Sequence, residues 1–414
     1  MKRADVVIVG AGQAGLALSH CLGQADIEHA VIERGRIGER WRSQSWRSLR
    51  LLTPNWLNAL PGSPYAGGDP GGFMGKAAFV ETLEAYAGRW QAPIECSVEV
   101  LSCRRTGNGF VLDTSASAWS AKAVVVATGH CDRPAIPFGS KIMGASENVG
   151  AALSIHASRY RSPGELPPGG VLIVGASSSG VQIADELARA GRRVTLSVGK
   201  HTRLPRLWRG KDIFFWLCQM GFMAQRPQGL ANPESARRQP SLQLAGRPDK
   251  ADVDLATLQA LGVELVGRVR GLANREIAFA DDLVASVAAA EAKQARLLAE
   301  IDRFAGAERP TRREPVTVPS ARPQRLSLTD GSIRTIIWAT GYARSFDWLE
   351  PLALGGDGEL AHQGGVTSVP GLYALGFRFL RKRDSNFIGG VGADAQAIAT
   401  EISRYLDRNG RQAA

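Results

Sequence analysis

No two of the five cysteines, Cys21, Cys96, Cys103, Cys131 and Cys218, stand closer than seven residues apart. That spacing excludes a CxxC redox pair and a zinc knuckle, and the odd count speaks against a disulfide framework, so a reduced, cytoplasmic setting is expected. Aromatic residues make up only 7%. No stripe of bases interleaved with aromatics occurs, and nucleic acid is not expected as a partner. No apolar run approaches the roughly 20 residues that span a bilayer. The most apolar stretch, Ile213 to Ala224, is interrupted by Gln219. Only Met1 to Ala4 precede the first apolar run, which is expected to leave no room for a signal peptide.

Glycine is the surplus, at 47 of 414 residues, or about 11% where about 7% is usual. In a chain of this length, enough for about two or three domains, such an excess fits many tight strand-to-helix turns. Fifty Lys and Arg against 39 Asp and Glu leave a net charge of +11, which favours anionic ligands. The excess is thinly spread, with concentrations at Arg34 to Arg50, Lys200 to Lys211 and Arg378 to Arg383.

Residues Ala4 to Val9 form a β-branched apolar run followed at once by Gly10-Ala-Gly12-Gln13-Ala14-Gly15 and a helical pattern to about Ala25. A second strand, His29 to Ile32, ends at Glu33. In such a unit Gly10 makes the tight turn, Gly12 lets backbone N–H groups approach a pyrophosphate and Gly15 lets helix and strand pack closely, while Glu33 accepts hydrogen bonds from a ribose diol. The pattern returns at Val171 to Val174, then Gly175-Ala-Ser177-Ser178-Ser179-Gly180, a helix to about Ala190 and a strand Arg193 to Val198. Here Ser177 replaces the middle glycine and Val198 stands where the ribose-binding acid is expected. Lys200, His201, Arg203 and Arg206 follow, either as partners for a 2′-phosphate or as a solvated loop.

Two such Rossmann fingerprints imply two dinucleotides face to face, and further segments carry a family likeness. These are Glu33-Arg34 with Ile37-Gly38-Glu39-Arg40-Trp41, Leu49 to Pro54 with Leu60-Pro61, the two Ala-Thr-Gly turns Ala127-Thr128-Gly129 and Ala339-Thr340-Gly341, and His156 with Tyr160. Gly371 to Phe377, Gly389-Gly390 and Asp394-Ala395 complete the set. Together they resemble the flavin-containing monooxygenase family, including the YUCCA-type enzymes and related bacterial NAD(P)/FAD-dependent oxidoreductases. The likeness covers most of residues 1–206 and 325–405. Gly150 and Ala152 depart from the family's FxGxxxHxxxY motif, and Leu52 stands where many members carry a polar residue, with Asn55 nearby. His156 is read as a structural histidine.

The resemblance implies an α/β fold of two Rossmann-like dinucleotide-binding domains, the second inserted in the first. Residues 1–160 and 325–414 would bind FAD, and 165–324 NADPH with a helical insertion at 207–306. The linkers are the Pro/Gly-rich 161–170 and the Pro-rich 309–325. FAD contacts are expected from Gly10, Gly12, Gln13, Ala14, Gly15, Glu33, Arg34, Trp41, Thr128, Gly129 and Asp394. Thr340 and Gly341 are expected at the cofactors through the second Ala-Thr-Gly turn. NADPH contacts are expected from Gly175, Ser177, Ser178, Ser179 and Gly180, with Lys200, His201 and Arg203. The implied activity is NADPH-dependent oxygenation of an amine, sulfide or 2-oxo acid by O2 through a flavin (hydro)peroxide, with no catalytic side chain assigned. A reductase passing electrons to a quinone or other acceptor, and a flavin-loaded redox sensor, are the alternatives. Ile213 to Met220 reads as a buried helix, a pocket wall or a membrane-surface contact. Asp281 to Phe304 reads as a helix that packs in the core, covers the flavin or supports a homodimer.

Overall fold

The computed structural model describes all residues except 108, 138–147, 150–151, 274, 309–310, 312, 351–352, 357 and 414. Gly150 of the motif noted above and Arg309, Pro310 and Arg312 of the Pro-rich linker therefore lie outside the described residues.

Two mixed sheets, each with a parallel centre, organise the chain. In the first, β1 (Lys2–Val9) leads through α1 (Gln13–Gln24) to β2 (His29–Ile32), then α2 (Glu39–Ser43) and, later, β3 (Trp119–Val126). Strand β1 lies between β2 and β3, parallel to both, with Val9 opposite Ile32 and Val126. The strand Leu372–Ala374 extends the sheet beyond β3, also in parallel. Val6, Val7 and Ile8 are fully buried. A parallel strand covered on both faces reads as a continuous apolar run rather than an alternating one, which is why ADVVIV was legible as a strand. The C-terminal helix Val391–Ala413 packs on α1.

The second sheet takes β4 (Ala152–His156), β5 (Gly170–Val174), β6 (Val194–Ser197) and β7 (Ile333–Trp338), with α3 (Ser178–Arg189) after β5. Its order runs Glu264–Val266, β6, β5, β7, β4, Asn148–Val149. Strands β4 and β7, which the sequence placed in the FAD unit, thus belong to the second sheet. The reason is register: β7 pairs with β5 on one side and β4 on the other, through Thr335 to Trp338. The 207–306 segment is likewise not purely helical. It contributes the edge strand Glu264–Val266 to the second sheet, and two strands that form an antiparallel sheet with Arg325–Ser327.

The helix Leu283–Phe304 buries Leu283 and Val287 in the core around α3, and Leu298 and Ile301 in a neighbouring cluster with Trp208, Ile213, Phe214 and Leu217. Its apolar stripe is narrower than the sequence suggested, since Val284 and Phe304 are both 55% exposed. The short helix Ile213–Gln219 is buried along Ile213, Phe214 and Leu217, and Phe214 meets Phe387 edge-on at 6.0 Å. Among the described residues no helix is long and apolar enough to cross a membrane.

Candidate functional site

The two glycine turns are near copies in space. Gly10 has φ +114° and Gly175 φ +107°, a region open to glycine and strained for other residues. A Cβ on Gly10 would lie 2.7 Å from the carbonyl oxygen of Ala127, and one on Gly175 would lie 2.5 Å from that of Ala339. Each Ala-Thr-Gly turn thus runs directly beneath a glycine turn, at the C-terminal end of β3 or β7. Gly15 and Gly180 are equally constrained, because a Cβ would fall 1.9 Å and 1.8 Å from the oxygens of Gly10 and Gly175.

Gly12 is different. It caps α1 at φ −84°, ψ −173°, and nothing lies within 4 Å of where its Cβ would be. Ser177 caps α3 at φ −84°, ψ −171°, the same backbone with a side chain added. Neither helix has a side-chain cap, so the first-turn N–H groups around Gln13 and Ala14, and around Ser178 and Ser179, point into open cradles suited to phosphate. Glu33 is pinned at the end of β2. Its carboxylate accepts from Ala11 N–H and Gly35 N–H, both at 2.8 Å, and keeps lone pairs for ribose hydroxyls. These residues fit FAD at the first turn and a pyridine nucleotide at the second.

The two turns are tied together. Ala135 N–H donates to Gly341 O at 3.0 Å, Thr340 Oγ1 donates to Ala135 O at 2.5 Å, and Arg133–Pro134 pairs with Tyr342–Ala343. His156 is buried with both ring nitrogens engaged. Its Nδ1 accepts from Ser158 N–H, so Nε2 donates to Gly341 O at 3.0 Å. It is structural, as expected, and Tyr160 donates to Glu186 at 2.7 Å from a fully buried position. Arg34 pairs with Asp132. Trp41 packs edge-on against Phe79 at 5.0 Å. Thr128 and Gly129 end the first Ala-Thr-Gly turn, with open space at Gly129. The turn Gly376-Phe377-Arg378 closes the site, because a Cβ on Gly376 would meet Ala14 of α1 at 2.7 Å.

Three expected contacts are corrected. Arg203 is buried in an ion pair with the fully buried Asp254 at 2.8 Å and also reaches Glu291 at 3.2 Å. Burial works to raise the pKa of Asp254, but Arg203, Thr257 N–H and Arg313 together hold it below its usual value. His201 is buried with Nδ1 on Gly199 O. Both side chains therefore hold the loop rather than face a 2′-phosphate, as does Arg206, which is wholly buried on Asp212 and Leu52 O. Lys200 remains exposed, and Arg268, which the sequence reading did not single out, lies against Gly199, 3.1 Å from where its Cβ would be. Asp394 is 1% exposed and interacts with Ser385, and its Oδ2 is buried without a hydrogen-bond partner among the described residues.

Sequence reading also missed His130, one residue past Gly129. Burial, followed by Arg378, Arg40 and Arg344, pushes its pKa down to about 4. The unfolded chain binds that proton near pH 6.5, so the stability held by neutral His130 is complete above pH 6.5 and is lost as pH falls toward 4. At pH 5 the difference is about 2 kcal/mol. We expect His130→Asn to flatten that part of the pH–stability curve measured by urea unfolding; an unchanged slope between pH 6.5 and 4 would contradict it.

Two uncapped helices, each entered through a glycine turn from a parallel strand, are the pattern of an oxidoreductase fold built on two dinucleotide-binding units. A pyridine nucleotide-disulphide oxidoreductase family model matches residues 7–207. An uncharacterized CzcO-like oxidoreductase of Geobacillus kaustophilus is 32% identical over 405 residues, covering 97% of this chain and 99% of that one. The indole-3-pyruvate monooxygenase YUCCA6 of Arabidopsis thaliana is 29% identical over 216 residues, about half of each chain. A flavin-containing monooxygenase from Stenotrophomonas maltophilia shares the fold at TM-score 0.66 and 18% identity, covering 98% of this chain and all of that one. A bacillithiol disulfide reductase from Bacillus cereus does so at TM-score 0.63 and 16%, covering 97% and 100%. The chain belongs to the CzcO-like oxidoreductases.

Proposed function

We propose that the protein is an FAD- and NADPH-dependent monooxygenase that uses O2 to oxygenate a small soft nucleophile or 2-oxo acid. The observation that carries this reading is the pair of matching glycine turns, with the same backbone at Gly12 and Ser177 and an Ala-Thr-Gly turn directly beneath each. Bound FAD supplies hydride acceptance and oxygen activation. The chain supplies pyrophosphate N–H donors, the Glu33 carboxylate for a ribose, and the two Ala-Thr-Gly turns beneath the glycine turns.

The cysteines support direct passage of electrons from nicotinamide to flavin to O2. All five are free. Burial pushes the Cys21 thiol up to about 11 and, with Glu350 adding to it, the Cys103 thiol up to about 12, which leaves little thiolate for disulfide exchange. Cys131, the cysteine nearest the first Ala-Thr-Gly turn in sequence, is also raised, by burial. The test is anaerobic turnover with menadione as acceptor compared with aerobic turnover with thioanisole. The monooxygenase reading expects NADPH oxidation coupled to sulfoxide formation under air and a lower kcat/KM with menadione. Efficient menadione reduction without any sulfoxide under air would favour the reductase.

Preference for NADPH over NADH rests on Val198 and Lys200. Val198 removes the acid that would repel a 2′-phosphate, and exposed Lys200 supplies positive charge next to Gly199, whereas Arg268 is paired with Asp282. One charge-assisted contact changes affinity by about tenfold to a hundredfold. Lys200→Ala should lose NADPH preference by that factor, whereas Arg203→Lys should leave it unchanged. The opposite pattern in kcat/KM would return the role to Arg203.

A further inference from the structure

We propose that Arg40, Arg344 and Arg378 form an anion site that binds the carboxylate of an organic substrate. This rests on the monooxygenase reading and narrows its substrate class.

The three guanidinium groups come from three segments that meet beyond the two Ala-Thr-Gly turns. Arg40 of α2 lies over the ring of Tyr342 at 4.5 Å, directly after Gly341. Arg344 lies over the ring of Phe377 at 4.5 Å. Arg378 is the next residue along from Phe377 and is steadied by one hydrogen bond to Gln239 O at 2.9 Å. Phe377 is held in place by Gly376, packed on Ala14 at the flavin-facing end of α1.

Arg344 pairs with Glu359. Among the described residues neither Arg40 nor Arg378 makes an ion pair; Arg40 bonds the neutral Gln44 and Arg378 a backbone carbonyl. Arg40 and Arg378, cations without a paired carboxylate near the already paired Arg344, repel one another, and an anion relieves that cost. Burial lowers the pKa of Arg378, and Arg344 lowers it further, while burial first and then all three arginines lower that of His130.

The dinucleotides do not need these arginines for their pyrophosphates, because each has its own uncapped helix N-terminus at Gly12 or Ser177. That leaves a third anion. Arginine's planar fork suits a carboxylate held bidentately. A substrate anchored by its carboxylate at Arg378 would present its sulfide, amine or 2-oxo group to the space between the two turns.

The test titrates oxidised FAD-loaded protein with phenylpyruvate and with 4-(methylthio)benzoate, each against its neutral analogue, phenylacetone or thioanisole, following the flavin absorbance. Both carboxylates should give a saturable spectral change, and the neutral analogues should bind at least about tenfold more weakly. Arg378→Gln should raise the carboxylate Kd about tenfold or more while keeping full flavin content and the wild-type melting temperature, with partial recovery in Arg378→Lys. Saturating NADP+ should leave the carboxylate Kd unchanged. Equal affinity for neutral and charged probes, no saturable change with either carboxylate, an unaltered Kd in Arg378→Gln, or competition by NADP+ would each overturn the proposal. If the carboxylates bind as described but no oxygen enters a product, the monooxygenase reading fails and the anion site stands.

Discussion

Gly12→Val is expected to give a folded, colourless protein. Nothing lies within 4 Å of the position a Cβ would take, and the backbone there, φ −84°, is ordinary for any residue, so the fold has no reason to object. The added isopropyl group instead occupies the space into which the first N–H groups of α1 point, and a pyrophosphate cannot approach them. Purified variant should show native circular dichroism with the ratio of flavin to protein absorbance reduced by an order of magnitude or more. A full complement of yellow flavin would refute the assignment of FAD to this turn. Gly15 is the informative contrast. A Cβ at 1.9 Å from Gly10 O forces helix and strand apart, so Gly15→Val should lose the fold together with the flavin.

Asp254→Ala should be the most destabilising substitution in the second unit. It leaves Arg203, 3% exposed at its side chain, with a buried charge facing only Glu291 and the Glu314 carbonyl, and it removes the capping box that starts the helix Leu255–Ala260. Breaking one side of a buried pair costs about 3–5 kcal/mol, and loss of the cap about 1 kcal/mol more. The double variant Arg203→Met, Asp254→Leu should recover much of that loss, because it removes the stranded charge. Urea unfolding of the two variants measures the difference. A change below about 1 kcal/mol for Asp254→Ala would show that the pair contributes little.

What the sequence made legible was local. The glycine turns were readable because the demands on Gly10, Gly15, Gly175 and Gly180 arise within a few residues of chain and from one backbone carbonyl passing beneath. Helix Leu283–Phe304 was readable from its period, though Val284 and Phe304 lie off the buried stripe. Non-local pairing was not readable. Ile333–Trp338 is apolar and bounded by a turn, which fits either sheet, and only its register with Gly170–Val174 and Ala152–His156 decides. Arg203 follows Val198 closely enough to suggest a phosphate ligand, yet its partner Asp254 is 51 residues away. The same holds for Arg40, Arg344 and Arg378: each was visible as a charge, but their convergence on His130 depends on three separate segments.

The most direct measurement of the central claim is the fate of labelled oxygen. Protein loaded with FAD and supplied with NADPH under 18O2 is given thioanisole and 4-(methylthio)benzoate, and the sulfoxides are analysed by mass spectrometry together with the NADPH consumed. The monooxygenase account predicts one atom of 18O in each sulfoxide and the other in water, with NADPH consumed in equal amount to product. NADPH consumption that yields only hydrogen peroxide or reduced quinone, with no label in either sulfoxide, would contradict it.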